Sequence, residues 1–310
     1  MSDTLSTGEL VRLWLSDRLI RAALWVMLRL PYRARLAIAA FLMTHVVAPL
    51  AGYRQRVRDN LAYVLPDLPK AEVARLLRAV PENMGRTLAE LYSGQEFVDR
   101  VMKEPLSGPG VAALEEAHRM GRPVLLVTGH IGNYDAVRGS LIRRGYRVGG
   151  LYREMGNPFF NSHYVKAISQ IGTPLFPRGR KGLAEMIRFL RSGGMVGLVL
   201  DQHMSDGMPL DFMGRTARTA LSAAEMALRY DALVVPTYGI RRPDLGFDVI
   251  VEAPIPHASP AEMTQALNDS LERLVRAHMD QWLWTHRRWK TRNRRNKAGS
   301  KARDPGADRA

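Results

Sequence analysis

Apolar positions change their pattern along the chain, and each pattern predicts a different kind of element. In the opening segment, Leu10, Leu13 and Trp14 fall on a different helical face from Asp17, Arg18 and Arg21, which predicts an amphipathic helix ending near Pro31. Leu24 to Leu28 is then almost wholly apolar. A charge-free stretch runs from Leu36 to Tyr53, with Arg33 and Arg35 before it and Arg54, Arg56 and Arg58 after it. It sits at the lower edge of bilayer-spanning length, about 18 to 20 residues, and contains His45, Pro49 and Gly52. A buried core helix, a spanning helix and an interfacial helix all fit. Arginines at both ends blur the charge asymmetry of a clean span, so monotopic attachment through Trp14–Tyr53 is the preferred expectation. No short apolar core with a small-residue cleavage site opens the chain, which argues against a secretory signal.

From about Lys103 the pattern becomes short apolar runs alternating with helical segments. Pro123–Thr128, Val148–Tyr152, Met195–Leu200, Leu233–Ile240 and Phe247–Glu252 read as strands. Val111–Met120, Tyr134–Arg144, Pro158–Ile171, Lys181–Arg191, Leu221–Tyr230 and Ala261–Met279 read as helices. Strands that are apolar throughout, with helices between them, predict an α/β fold: a mainly parallel sheet covered on both faces, behind an N-terminal helical membrane-attachment region. The expected division is 1–53 for attachment, 54–290 for the main domain and 291–310 for a basic, disordered tail.

Charge narrows the partners. Lys and Arg number 45 against 30 Asp and Glu, a formal net charge of +15. This favours anionic partners: acidic phospholipid, phosphorylated substrate, acidic carrier protein or nucleic acid. The absence of cysteine excludes a thiolate nucleophile, a Cys-based metal site and disulfides.

Candidate chemistry centres on His130-Ile131-Gly132-Asn133-Tyr134-Asp135. His130 lies just past the end of a buried strand, where open α/β sheets bind ligands. On a continuous helix His130 and Asp135 would sit about 140° apart. Gly129 and Gly132 permit a turn that faces the carboxylate back toward the imidazole, and Asn133 is placed to cap the following helix. An imidazole with a carboxylate on its other nitrogen removes a proton from an alcohol. With no Gly-x-Ser-x-Gly elbow, direct attack by an acceptor hydroxyl is simpler than a covalent acyl-enzyme. No second His/Asp pair at ligand spacing supports a metal. By itself the spacing is weak, since a strand-end histidine is usually structural.

The surroundings strengthen it. Thr128–Asp135 resembles the catalytic block of the lipid A late acyltransferases, within the wider His-x4-Asp/Glu glycerolipid acyltransferase group. Tyr152-Arg153-Glu154 with Asn157-Pro158, Phe176-Pro177-Arg178-Gly179 with Lys181-Gly182, Leu200-Asp201-Gln202, Phe212-Met213-Gly214 with Thr219, and Val235-Pro236 resemble later blocks in order. Arg58, Asn60, Leu61 and Pro66 resemble an earlier signature, and Trp282–Lys290 resembles the closing one. Two departures stand out: Asn133-Tyr134-Asp135 replaces the family's frequent Asn-Trp-Glu, and the apolar segment is less clear than the family's usual anchor.

The resemblance implies an enzyme that moves a fatty acyl group from acyl carrier protein to a hydroxyl of a lipid A precursor, on the cytoplasmic face of the inner membrane. In this reading His130 is the general base, with Asp135 as its partner. Arg153, Arg178 and Asn133 bind anionic substrate, while Asp201 orients an arginine, contacts sugar or caps a helix. No metal or other cofactor is expected beyond the acyl-carrier co-substrate. The expected partners are that carrier, an anionic glycolipid and the phospholipid surface, not nucleic acid. Trp282–Lys290 is expected to be a helix end packed partly on the core, basic side toward lipid. The alternatives are a glycerolipid or ornithine-type acceptor, or a non-catalytic basic protein that binds membrane or RNA.

Overall fold

The computed structural model describes residues 6–290. The basic tail after Lys290 lies outside the described residues. Thr7–Leu28 (α1) begins at a capping box, in which Ser6 accepts from the Glu9 amide and the Glu9 carboxylate accepts from the Ser6 amide. Next comes the apolar helix Tyr32–Leu50, made of α2 (Tyr32–Leu42), a π-helical turn and α3 (Ala48–Leu50). It is the one helix among the described residues long and apolar enough to cross a bilayer. Tyr53–Val64 (α4), Lys70–Ser93 (α5) and Gln95–Val101 (α6) complete the helical preface.

The apolar helix does not stand free of the protein. Tyr32, Leu36, Ala39, Ala40 and Ala48 are buried, and a Cβ added at Gly85 of α5 would meet the Ala39 carbonyl at 2.4 Å. Only glycine allows the two helix backbones to approach so closely. Arg35 locks the junction, donating to Ser93 Oγ at 2.8 Å and Glu96 at 3.0 Å. The opposite side is exposed and apolar, with Ile38, Phe41, Leu42, Val46, Val47 and Leu50. In α1, Leu15, Leu19, Trp25 and Val26 are likewise half or more exposed.

The rest is an α/β unit. Its strands are β1 (Leu106–Ser107), β2 (Val124–Thr128), β3 (Val148–Tyr152), β4 (Leu175–Pro177), β5 (Met195–Val199), β6 (Met208–Phe212), β7 (Arg215–Thr219), β8 (Leu233–Arg241) and β9 (Phe247–Val251). Its helices are α7 (Val111–Arg119), α8 (Tyr134–Arg143), α9 (Pro158–Ile171), α10 (Arg180–Arg191), α11 (Ser222–Tyr230) and α12 (Pro260–Ala277). Seven strands form one sheet in the order β1-β9-β8-β2-β5-β3-β4, parallel except where β8 meets β9. The expected mainly parallel sheet, covered on both faces, is what forms.

Alternation along β2 shows both faces covered. Val124 and Leu126 pack under α7, α8 and α9, while Leu125 and Val127 pack under α10, α11 and α12. The sequence pattern did not predict β1 and β4, which have two and three residues, nor the antiparallel hairpin β6–β7.

Candidate active site

Residues expected to carry chemistry collect at the carboxyl ends of neighbouring strands. β2 pairs with β5 from Val124↔Met195 to Thr128↔Val199, so His130 and Asp201 leave adjacent strands side by side. β3 lies next to β5 and β4 next to β3, which puts Arg153 and Arg178 on the same edge. Tyr152 pairs with Pro177, and the Arg178 amide donates to the Tyr152 carbonyl at 2.8 Å. At a strand spacing of about 4.8 Å, the two arginines start roughly 10 and 14 Å along the edge from His130. Both are exposed.

The carboxylate that meets His130 is Asp201. Its Oδ1 lies 2.7 Å from His130 Nδ1, and its Oδ2 accepts the His130 amide at 2.8 Å and the Trp282 indole N–H at 2.8 Å. Asp201 is 3% exposed. Burial alone would raise its pKa, but the His130 charge and these three donors bring it down to about 2. Burial works against the His130 imidazolium as well, yet the charge and hydrogen bond of Asp201 leave its pKa above the ordinary value. With the ionised carboxylate on Nδ1, that nitrogen holds the proton and Nε2 offers its lone pair to a substrate.

Asp135 is placed differently from the sequence expectation. Its Oδ1 accepts from Arg138 Nε at 2.8 Å, and the Arg138 guanidinium also donates to the carbonyls of Gly172 and Ile168. The pair therefore ties the start of α8 to the last turn of α9, where unpaired carbonyls attract a cation. The turn between His130 and Asp135 forms as expected, but it does not deliver this carboxylate to the imidazole; three residues of helix carry it toward Arg138 instead. Tyr134 is the residue of that turn packed edge-on against the His130 ring, with centroids 5.5 Å apart.

Asn133 caps α8 through the Asp135 amide at 3.0 Å, as expected. Its Nδ2 donates to buried Glu90 at 2.8 Å. Both ends of the amide are thus engaged and the residue is 2% exposed, so its part is to hold the turn rather than touch substrate. The turn is held on every side. The Gly132 amide donates to the Gln281 carbonyl at 3.0 Å, the Asn133 amide to the Gly239 carbonyl at 2.8 Å, and the Leu283 amide to the His130 carbonyl at 2.9 Å. Thr87 donates to the Gly132 carbonyl at 2.9 Å. At Gly132, φ is +55° and a Cβ would stand 2.0 Å from the Gly239 oxygen, so no side chain fits.

Behind this turn lies a buried ion pair. Glu90 of α5 is fully buried and binds Arg241, at the end of β8, through two nitrogens; the Nε contact is 2.8 Å. Arg241 also reaches Asn83 and Thr87. Gln281 clasps the Arg241 backbone with both ends of its amide, at 2.9 and 2.8 Å. The closing segment is not the expected helix end. A short 3-10 turn, Met279–Gln281, leads into an isolated bridge between Trp282 and Ile131, and Trp282, Trp284 and Trp289 pack in the core with Phe212. Their indole N–H groups are used inside the protein by Asp201, Met279 and Phe212, which removes these rings from any lipid interface.

A parallel α/β sheet with a carboxylate-backed histidine at its carboxyl edge, and arginines just past the next strands, is an arrangement suited to proton abstraction near an anion. Comparison with known proteins specifies the class. The model of the bacterial lipid A biosynthesis acyltransferases matches residues 8–291, and the chain belongs to that family. It is 25% identical over 279 residues to the lipid A biosynthesis lauroyltransferase of Escherichia coli (strain K12), covering 87% of this chain and 89% of that one. It is 23% identical to the lipid A biosynthesis palmitoleoyltransferase of the same strain, with 87% and 89% covered. The phosphatidylinositol mannoside acyltransferase of Mycobacterium tuberculosis (strain CDC 1551 / Oshkosh) is 24% identical over 245 residues, with 77% and 78% covered. The protein is an acyltransferase of the lipid A biosynthetic type.

The raised pKa of His130 has a measurable sign. Acting as a base, His130 would work only when neutral, and a raised pKa keeps it protonated to higher pH. The acid limb of kcat/KM is therefore expected above pH 6.5, the ordinary value, with activity falling as pH drops through it. A pH–rate profile whose acid limb lies well below that value contradicts His130 as the base.

Proposed function

We propose that the chain transfers a fatty acyl group from acyl carrier protein to a hydroxyl of an anionic glycolipid, a lipid A precursor, without a covalent enzyme intermediate. The observation that carries this reading is the His130–Asp201 contact on the same sheet edge as Arg153 and Arg178. His130 Nε2 takes the acceptor's proton as its oxygen attacks the thioester carbonyl. The C–O bond forms, the C–S bond breaks, and the imidazolium returns the proton to the departing thiolate. Arg153 and Arg178, exposed and just past the ends of adjoining strands, present planar guanidinium groups to a phosphate of the acceptor or the carrier. The formal charge of +15 favours approach of an acidic carrier and of an anionic membrane.

The same reading seats the chain on the cytoplasmic face of the inner membrane, by the exposed apolar sides of α1 and of Tyr32–Leu50. One side of the latter is packed on α5, as a monotopic helix would be. The test is to incubate the purified protein in anionic vesicles with labelled acyl carrier protein. Separate reactions receive a phosphorylated lipid A precursor, lysophosphatidate and a phosphatidylinositol mannoside. Product masses should show one added acyl chain on the lipid A precursor; label only on a phosphoglycerolipid or mannoside overturns that acceptor. Arg178→Ala should raise the acceptor KM roughly ten-fold or more, the loss of one charge-assisted contact of about 1.5–3 kcal/mol.

A further inference from the structure

The closing segment brings a second imidazole to the dyad. The amide of His203, two residues beyond Asp201, donates to His286 Nε2 at 3.0 Å. The Leu283 amide binds the His130 carbonyl, and the His286 amide binds the Leu283 carbonyl at 3.1 Å. His286 is thereby bracketed between the segment that carries Asp201 and the turn that carries His130. A backbone N–H can only donate, so Nε2 must hold a lone pair and the proton of the neutral ring must be on Nδ1. Among the described residues the only hydrogen bond of the ring is the one at Nε2, which leaves Nδ1 without a protein partner. Burial favours the neutral ring, and Arg288 and Lys290 press the same way against the pull of Asp201. The ring is thus an uncharged donor with one free N–H, held by hydrogen bonds to the segments that carry Asp201 and His130.

We propose that His286 Nδ1–H donates a hydrogen bond to the carbonyl oxygen of the acyl thioester as that oxygen becomes an oxyanion. The proposal rests on the acyl-transfer reading above and deepens it. When the acceptor oxygen bonds to the carbonyl carbon, the π pair moves to the carbonyl oxygen and is held there by the His286 N–H. On collapse the C–S bond breaks and the thiolate takes its proton from His130, so His286 ends as it began. A neutral imidazole suits this task because it supplies a donor without competing with His130 for the proton.

The experiment compares full-length His286→Ala and His286→Asn with the wild type in anionic vesicles, using the acyl carrier thioester and the acceptor found above. His286→Ala should lower kcat by about 10²–10³ with KM changed by less than about three-fold, the signature of a contact made in the transition state. His286→Asn keeps an N–H near the same place and should recover about ten-fold or more of that loss. The acid limb set by His130 should stay where it is in both, and thermal midpoints should match the wild type. A kcat within about three-fold of wild type in His286→Ala overturns the proposal, as does an equal loss in both variants accompanied by a lowered midpoint.

The tautomer is read independently by long-range 1H–15N spectra of the ring. A protonated Nε2 overturns the proposal whatever the kinetics show. Wild-type protein that acylates none of the acceptors refutes the acyl-transfer reading instead; the donor proposal is then decided on the spectrum. An acyl-pantetheine thioester should shift the Nδ1 resonance, and no shift overturns it.

Discussion

Asp201→Asn is expected to inactivate the enzyme almost as fully as His130→Ala, with each losing about 10²–10⁴ in kcat. The asparagine cannot take its place passively. An amide presenting N–H to Nδ1 forces the imidazole into the other tautomer, which puts the proton on Nε2 where the acceptor hydroxyl needs a lone pair. The two losses should not add, because each removes the same proton acceptor. Asp201→Asn should also bring the acid limb of kcat/KM down, since the charge that raises the His130 pKa is gone. Asp135→Asn provides the contrast. Its carboxylate is spent on Arg138, so that variant should lower the thermal midpoint while leaving the position of the acid limb unchanged. A profile in which Asp135→Asn moves the limb and Asp201→Asn does not would reverse the assignment of the two carboxylates.

The largest stability effect is expected at Glu90. Glu90→Ala strands the Arg241 guanidinium in the interior with only neutral partners, at a cost of about 3–5 kcal/mol. This should appear as a fall in thermal midpoint on the order of 10 °C. The double variant Glu90→Leu with Arg241→Met removes both charges and should lose distinctly less than the two single changes combined. Activity is the second readout. Asn133, Thr87 and Gln281 all meet both the ion pair and the His130 turn, or their backbone, so the stabilised double variant should still show lowered kcat. Full recovery of kcat in that variant would mean that the turn holds its shape without the pair.

The strands that were legible in the sequence, β2, β3, β5, β8 and β9, are those whose runs are mostly apolar, even where β9 admits the exposed Asp248. β4 has three residues and β6–β7 alternates as MPLDF and RTART, patterns too short or too polar to stand out from loops. His130 was legible because a strand end and two glycines surround it within a few positions. The carboxylate on its ring was not, because Asp201 is 71 residues away. Only the neighbouring of β2 and β5 joins them, and strand order leaves no trace in local periodicity. Glu90 and Arg241 were hidden for the same reason, being 151 residues apart on elements that meet only in the fold. The tryptophans at 282, 284 and 289 were expected to pack partly on the core, and they do so more fully than their basic surroundings suggested. Aromatics interleaved with arginines have the composition of a membrane belt, whereas here the rings turn inward and Arg288 follows them, donating to Thr219 and the Arg218 carbonyl.

Gly85 and Glu90 sit five residues apart on α5, about 7.5 Å along its axis. One presses the apolar Tyr32–Leu50 helix and the other braces the turn that presents His130. The same helix therefore serves as foundation and as tool rest: under the membrane seating proposed above, the depth of the apolar helix would set the height of the imidazole above the lipid. On that proposal, a hydroxyl would be selected by how far it projects from the bilayer plane as much as by the sugar or chain that bears it.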